Sequence, residues 1–241
     1  MKFLKRALVA SFAALSLAIA PAVSAEAASA KFDVTKSSAK SIVVSSSADR
    51  QIEIEMLHKK SGVKRWKVVS DIYKAEGYSN AGEEADVAIF ANDDDPRRTR
   101  VALNVSRHGL GKYEIGASRV SGYDSTDWDA EQVVSRTDFT KGSFYVRGKT
   151  DASLSSNRKG GTVTLTSSTK VYNPERYSKV AYSPKVKFQV KSGGKWKTLK
   201  MISAKRGKAV YKVKSKSKKY YRVTFSQKGW ATGATSKSVR R

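Results

Sequence analysis

The stretch Lys185-Val186-Lys187-Phe188-Gln189-Val190-Lys191 alternates polar and apolar residues one by one, and this period constrains the chain more than any other feature. Successive side chains on a β-strand point to opposite faces. Val186, Phe188 and Val190 therefore share one face and the lysines share the other. Ser192-Gly193-Gly194 follows at once as a tight hairpin signal. Further strand candidates in this half are 142–148, 162–171, 195–201, 208–214, 220–226 and 235–240. The earlier half offers 41–45, 51–58, 64–73, 86–91, 99–106, 112–120 and 132–139. Seven short strands in about 100 residues, separated by turn residues, is the pattern of an immunoglobulin-like sandwich. The fold class expected is all-β: two tandem immunoglobulin-like antiparallel β-sandwiches. In the second, Tyr220 or Tyr221 is placed to form the tyrosine corner such sandwiches carry near the sixth strand.

Residues 1–25 read as a cleaved secretory signal peptide. Lys2, Lys5 and Arg6 supply the positive start, Ala7 to Ala20 the apolar core, and Val23-Ser24-Ala25 the small-x-small cleavage site. The apolar run is shorter than the roughly 18–20 residues a membrane span needs, so the mature chain is expected to carry no transmembrane anchor and to be secreted, extracellular or cell-wall associated. The chain has no cysteine. That excludes disulfides, thiolate metal sites and a cysteine nucleophile, and in an exported protein it points to a bacterial source.

Charge divides the mature chain. Residues 31–141 hold 18 basic and 18 acidic side chains, whereas residues 142–241 hold 26 basic ones and only two acids, Asp151 and Glu175. The composition changes near residues 139–142, so the expected modules are 31–141, near neutral, and 142–241, strongly basic. Lys-Ser-Gly before a Trp occurs in both, at Lys60-Ser61-Gly62 before Trp66 and at Lys191-Ser192-Gly193 before Trp196. The two readings of this are a repeated supersecondary unit and hairpin chemistry arrived at twice.

The second half resembles the bacterial immunoglobulin-like modules of actinobacterial secreted proteins. The residues that carry the likeness are Val186 to Lys191, Lys195-Trp196-Lys197-Thr198-Leu199-Lys200, Gly207, Tyr220-Tyr221-Arg222-Val223-Thr224-Phe225 and Ala234 to Val239. The first half, with Gly111-Lys112-Tyr113-Glu114-Ile115-Gly116-Ala117-Ser118, is similar to the first module of two-module versions. The chain departs from that pattern in its lysine content and in having Gln227-Lys228-Gly229-Trp230 where a small-residue segment is expected. The resemblance implies the fold and no catalytic residues.

Chemical candidates are few. No Gly-x-Ser-x-Gly elbow is present, and His58 and His108 are expected as exposed loop residues. Asp124, Asp127 and Asp129 lie in a hairpin loop, where three carboxylates from one loop are a possible calcium set, the alternative being a solvated turn. Asn92-Asp93-Asp94-Asp95 is a second acidic cluster. The strongest signal is the lysine array. Lys185, Lys187, Lys191, Lys195, Lys197 and Arg222 are expected to point outward from one sheet, and Lys212 and Lys214 from the other. The excess positive charge of this half far exceeds the magnitude of about 2–8 that solubility needs. The expected partner is an anionic cell-wall polymer or other extracellular polyanion. Lysine gives diffuse charge, so sequence-specific nucleic-acid readout is not expected. The function expected is a secreted, non-enzymatic binding or structural protein without a cofactor, unless the calcium set is filled. The rival readings are a secreted enzyme with its site in the N-terminal acidic loops, and a protein-binding adhesin or inhibitor.

Overall fold

The computed structural model describes residues 29–77, 82–92, 95–127 and 129–241. The leader, Asp93, Asp94 and Trp128 lie outside the described residues. The chain is built almost wholly of strands: β1 (Lys31–Ala39), β2 (Ile42–Val44), β3 (Arg50–Ser61), β4 (Arg65–Gly77), β5 (Glu84–Ala91), β6 (Arg98–Leu103), β7 (Gly111–Tyr123), β8 (Gln132–Asp138) and β9 (Gly142–Gly148) come first, with a one-turn helix α1 (Val105–His108) before β7. β10 (Thr150–Lys159), β11 (Thr162–Asn173), β12 (Ser178–Ala181), β13 (Lys185–Ser192), β14 (Lys195–Ser203), β15 (Lys208–Lys214), β16 (Tyr220–Phe225), β17 (Ala234–Thr235) and β18 (Val239–Arg240) follow, with a 3-10 turn at Pro174–Arg176.

In the first sandwich, β1-β3-β6 faces β2-β9-β7-β4-β5, with β8 beside the far end of β7. The first strand changes sheets. β1 pairs antiparallel with β3, and after Lys40 and Ser41 the chain crosses over so that β2 runs parallel to β9. In immunoglobulin lettering this is A-B-E against A′-G-F-C-C′. The inward residues follow the alternation: Ile52, Ile54 and Met56 on β3 face Trp66, Val68 and Ile72 on β4 and Tyr113 and Ile115 on β7. No disulfide bridges the sheets. Trp66 instead packs at 4.9 Å from Phe32 and 4.7 Å from His58.

In the second sandwich, β10-β11-β15 faces β14-β13-β16, with β12 beside the end of β11 and β17 and β18 along β16. This is A-B-E against C′-C-F-G, the same scheme without an A′ strand. Its core is Val163, Leu165 and Val171 against Val186, Phe188, Val190, Tyr221, Val223 and Phe225. The inward face expected of β13 is thus the buried one.

The structure corrects several expectations. Strand 142–148 does not open the second module. β9 pairs with β7 over Ile115 to Gly111 and with β2, so it closes the first sandwich. The true first strand of the second sandwich is β10, whose inward positions carry only Ala152 and Leu154 as apolar residues. The tyrosine corner forms in the first module: the Tyr113 hydroxyl donates to the Gly109 carbonyl at 2.7 Å, whereas the Tyr221 hydroxyl is buried without a partner. The two tryptophans are not equivalent. Trp66 is buried on strand C after a crossing between sheets, and Trp196 is on strand C′ after a hairpin.

One residue, Lys149, joins the sandwiches, and hydrogen bonds knit the junction. Gly148 donates to the Trp230 carbonyl and Thr232 to that of Gly148; Lys149 donates to Val44 and Tyr172 to Lys149, all at 2.9–3.1 Å. Ser47 and Tyr172 share a 2.6 Å hydroxyl contact, and Tyr172 belongs to the first core. Gly148 is required by close approach, since a Cβ there would sit 2.3 Å from the Tyr172 carbonyl oxygen.

Candidate functional site

The outer face of the C′-C-F-G sheet is fixed by register. Directly opposed residues in an antiparallel pair point to the same face. Lys187 opposes Met201 on β14 and Thr224 on β16; Gln189 opposes Thr198 and Arg222; Lys191 opposes Trp196. Since Val186, Phe188 and Val190 are buried, Lys185, Lys187 and Lys191 with Arg222 lie outward, spaced by roughly 7 Å for each step of two residues. Gly193 and Gly194, with φ of +56° and +78°, make the two-residue turn that sets this register.

Aromatic groups lie among these cations. The Arg222 guanidinium stands 4.2 Å over the Trp196 ring and its Nε donates to Gln189 Oε1 at 2.8 Å. Arg240 stacks on Tyr220 at 5.7 Å on the same side. The contact with Trp196 holds Arg222 flat on the sheet, leaving part of its fork open to a ligand.

Lys195 and Lys197 do not join this face. Lys197 opposes the buried Val190 and Lys195 opposes Ser192, so both project from the core side of β14. That strand is the free edge of its sheet, and a charge turned inward there resists pairing with another chain. Strict alternation with Trp196 already required them on the side away from it. Lys212 and Lys214 oppose Thr164 and Thr162 and lie outward on the A-B-E sheet, with Lys208 and the Ser/Thr ladder of β11. The eight expected binding residues thus fall into three groups, four of them on the C′-C-F-G face.

Of the two acids in the basic half, Asp151 pairs with Lys179 at 2.6 Å, and Glu175 sits in the 3-10 turn at the junction. Among the described residues, Lys185, Lys187 and Lys191 enter no ion pair.

Below the lysine rows the sheet ends in a cleft of about 720 Å³ beside the junction, walled by Lys185, Lys187, Met201, Lys228, Tyr182 and Trp230. Lys228 was not among the expected site residues. The signal was present, because the Gln227-Lys228-Gly229-Trp230 segment stood out as a departure from the resembled pattern.

The acidic loops are different. Asp127 accepts from the Ser125 hydroxyl at 3.1 Å and its backbone N–H donates back to that hydroxyl, a local turn. Among the described residues, no group of three or more His, Asp or Glu is gathered to hold a metal ion. Asp124, Asp127 and Asp129 are therefore not assembled as a ligand set. The histidines are not exposed loop residues. His58 stacks on Phe32 at 4.8 Å, and His108 is 3% exposed in α1. Burial lowers the pKa of both; Lys60 and Arg97 add to this at His58, and Glu83 opposes it at His108. Lys74, fully buried beside His108, donates to the His108 carbonyl at 2.5 Å. Burial lowers its pKa against the pull of Glu175 and Glu83. His108 and Lys74 sit where α1 meets the 3-10 turn, so they belong to the junction, whereas His58 lies at the other end of β3.

No family model matches the chain and no curated protein is similar to it. Solved structures that superpose on it include the fibronectin(III)-like modules of CbhA from Clostridium thermocellum, 12% identical, covering 88% of this chain and 90% of that one with a TM-score of 0.31. The D00-D0 domain of intimin, 12% identical, covers 88% and 98% with a TM-score of 0.27. The human OSCAR ligand-binding domain, 10% identical, covers 87% and 96% with a TM-score of 0.27. At these scores the immunoglobulin-like assignment rests on strand order and register. No helix among the described residues is long and apolar enough to cross a membrane.

Proposed function

We propose that the protein is a secreted, non-enzymatic binding or structural protein whose basic second sandwich associates with an anionic cell-wall or extracellular polymer. The observation that carries this reading is the outer C′-C-F-G face, where Lys185, Lys187, Lys191 and Arg222 stand in register and, among the described residues, enter no ion pair. A polyanion laid across these rows would neutralise several cations and release its own counterions, so its affinity falls steeply with salt. The signal-like leader supports export. The mature chain retained on purified cell wall at low ionic strength, and released between about 50 and 200 mM salt, is the expected result. Failure to be retained at low ionic strength contradicts the reading.

A further inference from the structure

The cleft at the foot of the C′-C-F-G face is built differently from the lysine rows above it. Its apolar surface lies at its two ends: Met201 is half exposed on β14, and Trp230, beyond β16, packs edge-on to the buried Tyr182 at 5.2 Å. Between them stand Lys185 and Lys187 on β13, with Lys228 on the loop that carries Trp230. The loop that brings Lys228 and Trp230 is pinned from the first sandwich. Gly148 donates to the Trp230 carbonyl, Arg147 Nε donates to that of Lys228 at 3.2 Å, and Lys228 N–H closes the turn onto Ala231. A site held in this way needs little ordering when a ligand enters, and its volume falls within the range of small-ligand pockets, about 300–1,000 Å³.

We propose that this cleft binds the uronic-acid units of an acidic polysaccharide, with the C–H faces of the sugar rings against Trp230 and Met201 and their carboxylates toward Lys185, Lys187 and Lys228. The inference rests on the polyanion reading above and narrows it. A polyphosphate chain has charge but no apolar face, so it can use the lysines and not the apolar groups. A uronate chain matches both. The Arg222–Trp196 pair further up the same face suits a neighbouring unit of the same polymer.

The test titrates the full mature chain by calorimetry, at one fixed ionic strength, with a polygalacturonate oligomer, its carboxyl-reduced counterpart and inorganic polyphosphate of matched charge. Uronate binding about tenfold tighter than polyphosphate, and no measurable binding of the reduced glycan, are expected. Met201→Ala lowers uronate affinity roughly threefold by removing apolar contact and leaves polyphosphate unchanged. Lys228→Glu lowers uronate affinity roughly tenfold, since the exposed loop lysine becomes a repelling charge. Both positions are exposed, so the melting temperature stays near that of the parent chain. Equal affinity for the two polyanions with no effect of Met201→Ala overturns the cleft assignment and leaves the broader reading standing. Tight binding of the reduced glycan overturns the acid specificity. No binding of either polyanion overturns both readings.

Discussion

The two sandwiches share a strand scheme and treat charge in opposite ways. In the first, charges answer one another along and across strands: Arg119 grips Asp71 with two bonds of 2.8 Å, Lys112 and Tyr73 both reach Glu114, and Arg136 lies between Asp33 and Asp138. In the second, Lys179 pairs with Asp151, but on the C′-C-F-G face Lys185, Lys187 and Lys191 enter no ion pair among the described residues. Isolated surface pairs contribute only about 0–1 kcal/mol each, so neither pattern decides the fold. The inward alternation does that, and it is alike in both. The outer faces are therefore free to differ, and in the second module the difference is a strongly positive field.

The sharpest way to break this comparison is to cut the chain at the wrong place. A fragment ending at residue 141 lacks β9, which lies between β2 and β7 and buries Phe144 and Val146. It is expected to be largely unfolded by circular dichroism, while a fragment ending at residue 148 keeps its strand signal. Equal folding of the two would show that β9 does not belong to the first sandwich.

Next in size are core truncations. Phe188→Ala and Trp66→Ala are each expected to cost about 3–5 kcal/mol, measured by denaturant unfolding. Gly148→Ala should cost about 1–3 kcal/mol by overpacking against Tyr172, Leu110 and Val171. Because that glycine sits at the junction, its cost should appear in the unfolding of both modules.

Acid should separate the modules without mutation. Both histidines lie in the first sandwich, and both have folded-state pKa values below the ordinary 6.5. The folded state then holds fewer protons than the unfolded one below that pH. The stability this confers is complete above 6.5 and is lost as pH falls through the folded values. Thermal melts between pH 7 and 5 should weaken the first sandwich before the second. His108→Gln should flatten part of that slope.

How much of this was legible in the chain depends on where the apolar residues sit. β13 reads directly because every second residue is apolar and buried. β10 was missed because a first strand at the sheet edge buries only Ala152 and Leu154 among serines and other polar residues. β1 was missed because a bulge between Val34 and Lys36 breaks its alternation. The boundary moved because composition changes near residue 141 while the hydrogen bonding does not change until Gly148. Composition reports surface, and surface does not know which sheet a strand joins. In the site, Lys185, Lys187, Lys191 and Arg222 followed from alternation. Lys195 and Lys197 were misplaced because the turn at Gly193-Gly194 puts Trp196, not its neighbours, opposite Lys191. The cleft depends on a contact between sandwiches, Gly148 with Trp230, that no local pattern encodes.

Single Lys→Ala changes on the face should have the smallest effect, since each exposed charge is screened and its neighbours substitute for it. The most direct test of the central claim is the salt dependence of binding to an anionic polymer for three proteins. These are the parent chain, a variant with Lys185, Lys187, Lys191 and Arg222 changed to Glu, and one with Lys208, Lys212 and Lys214 changed to Glu on the opposite sheet. The account predicts a steep linear fall of log affinity with log salt for the parent. It predicts loss of binding in the first variant, with its melting temperature nearly unchanged, and retention of most binding in the second. Equal loss in both variants, or an affinity that salt does not change, would contradict it.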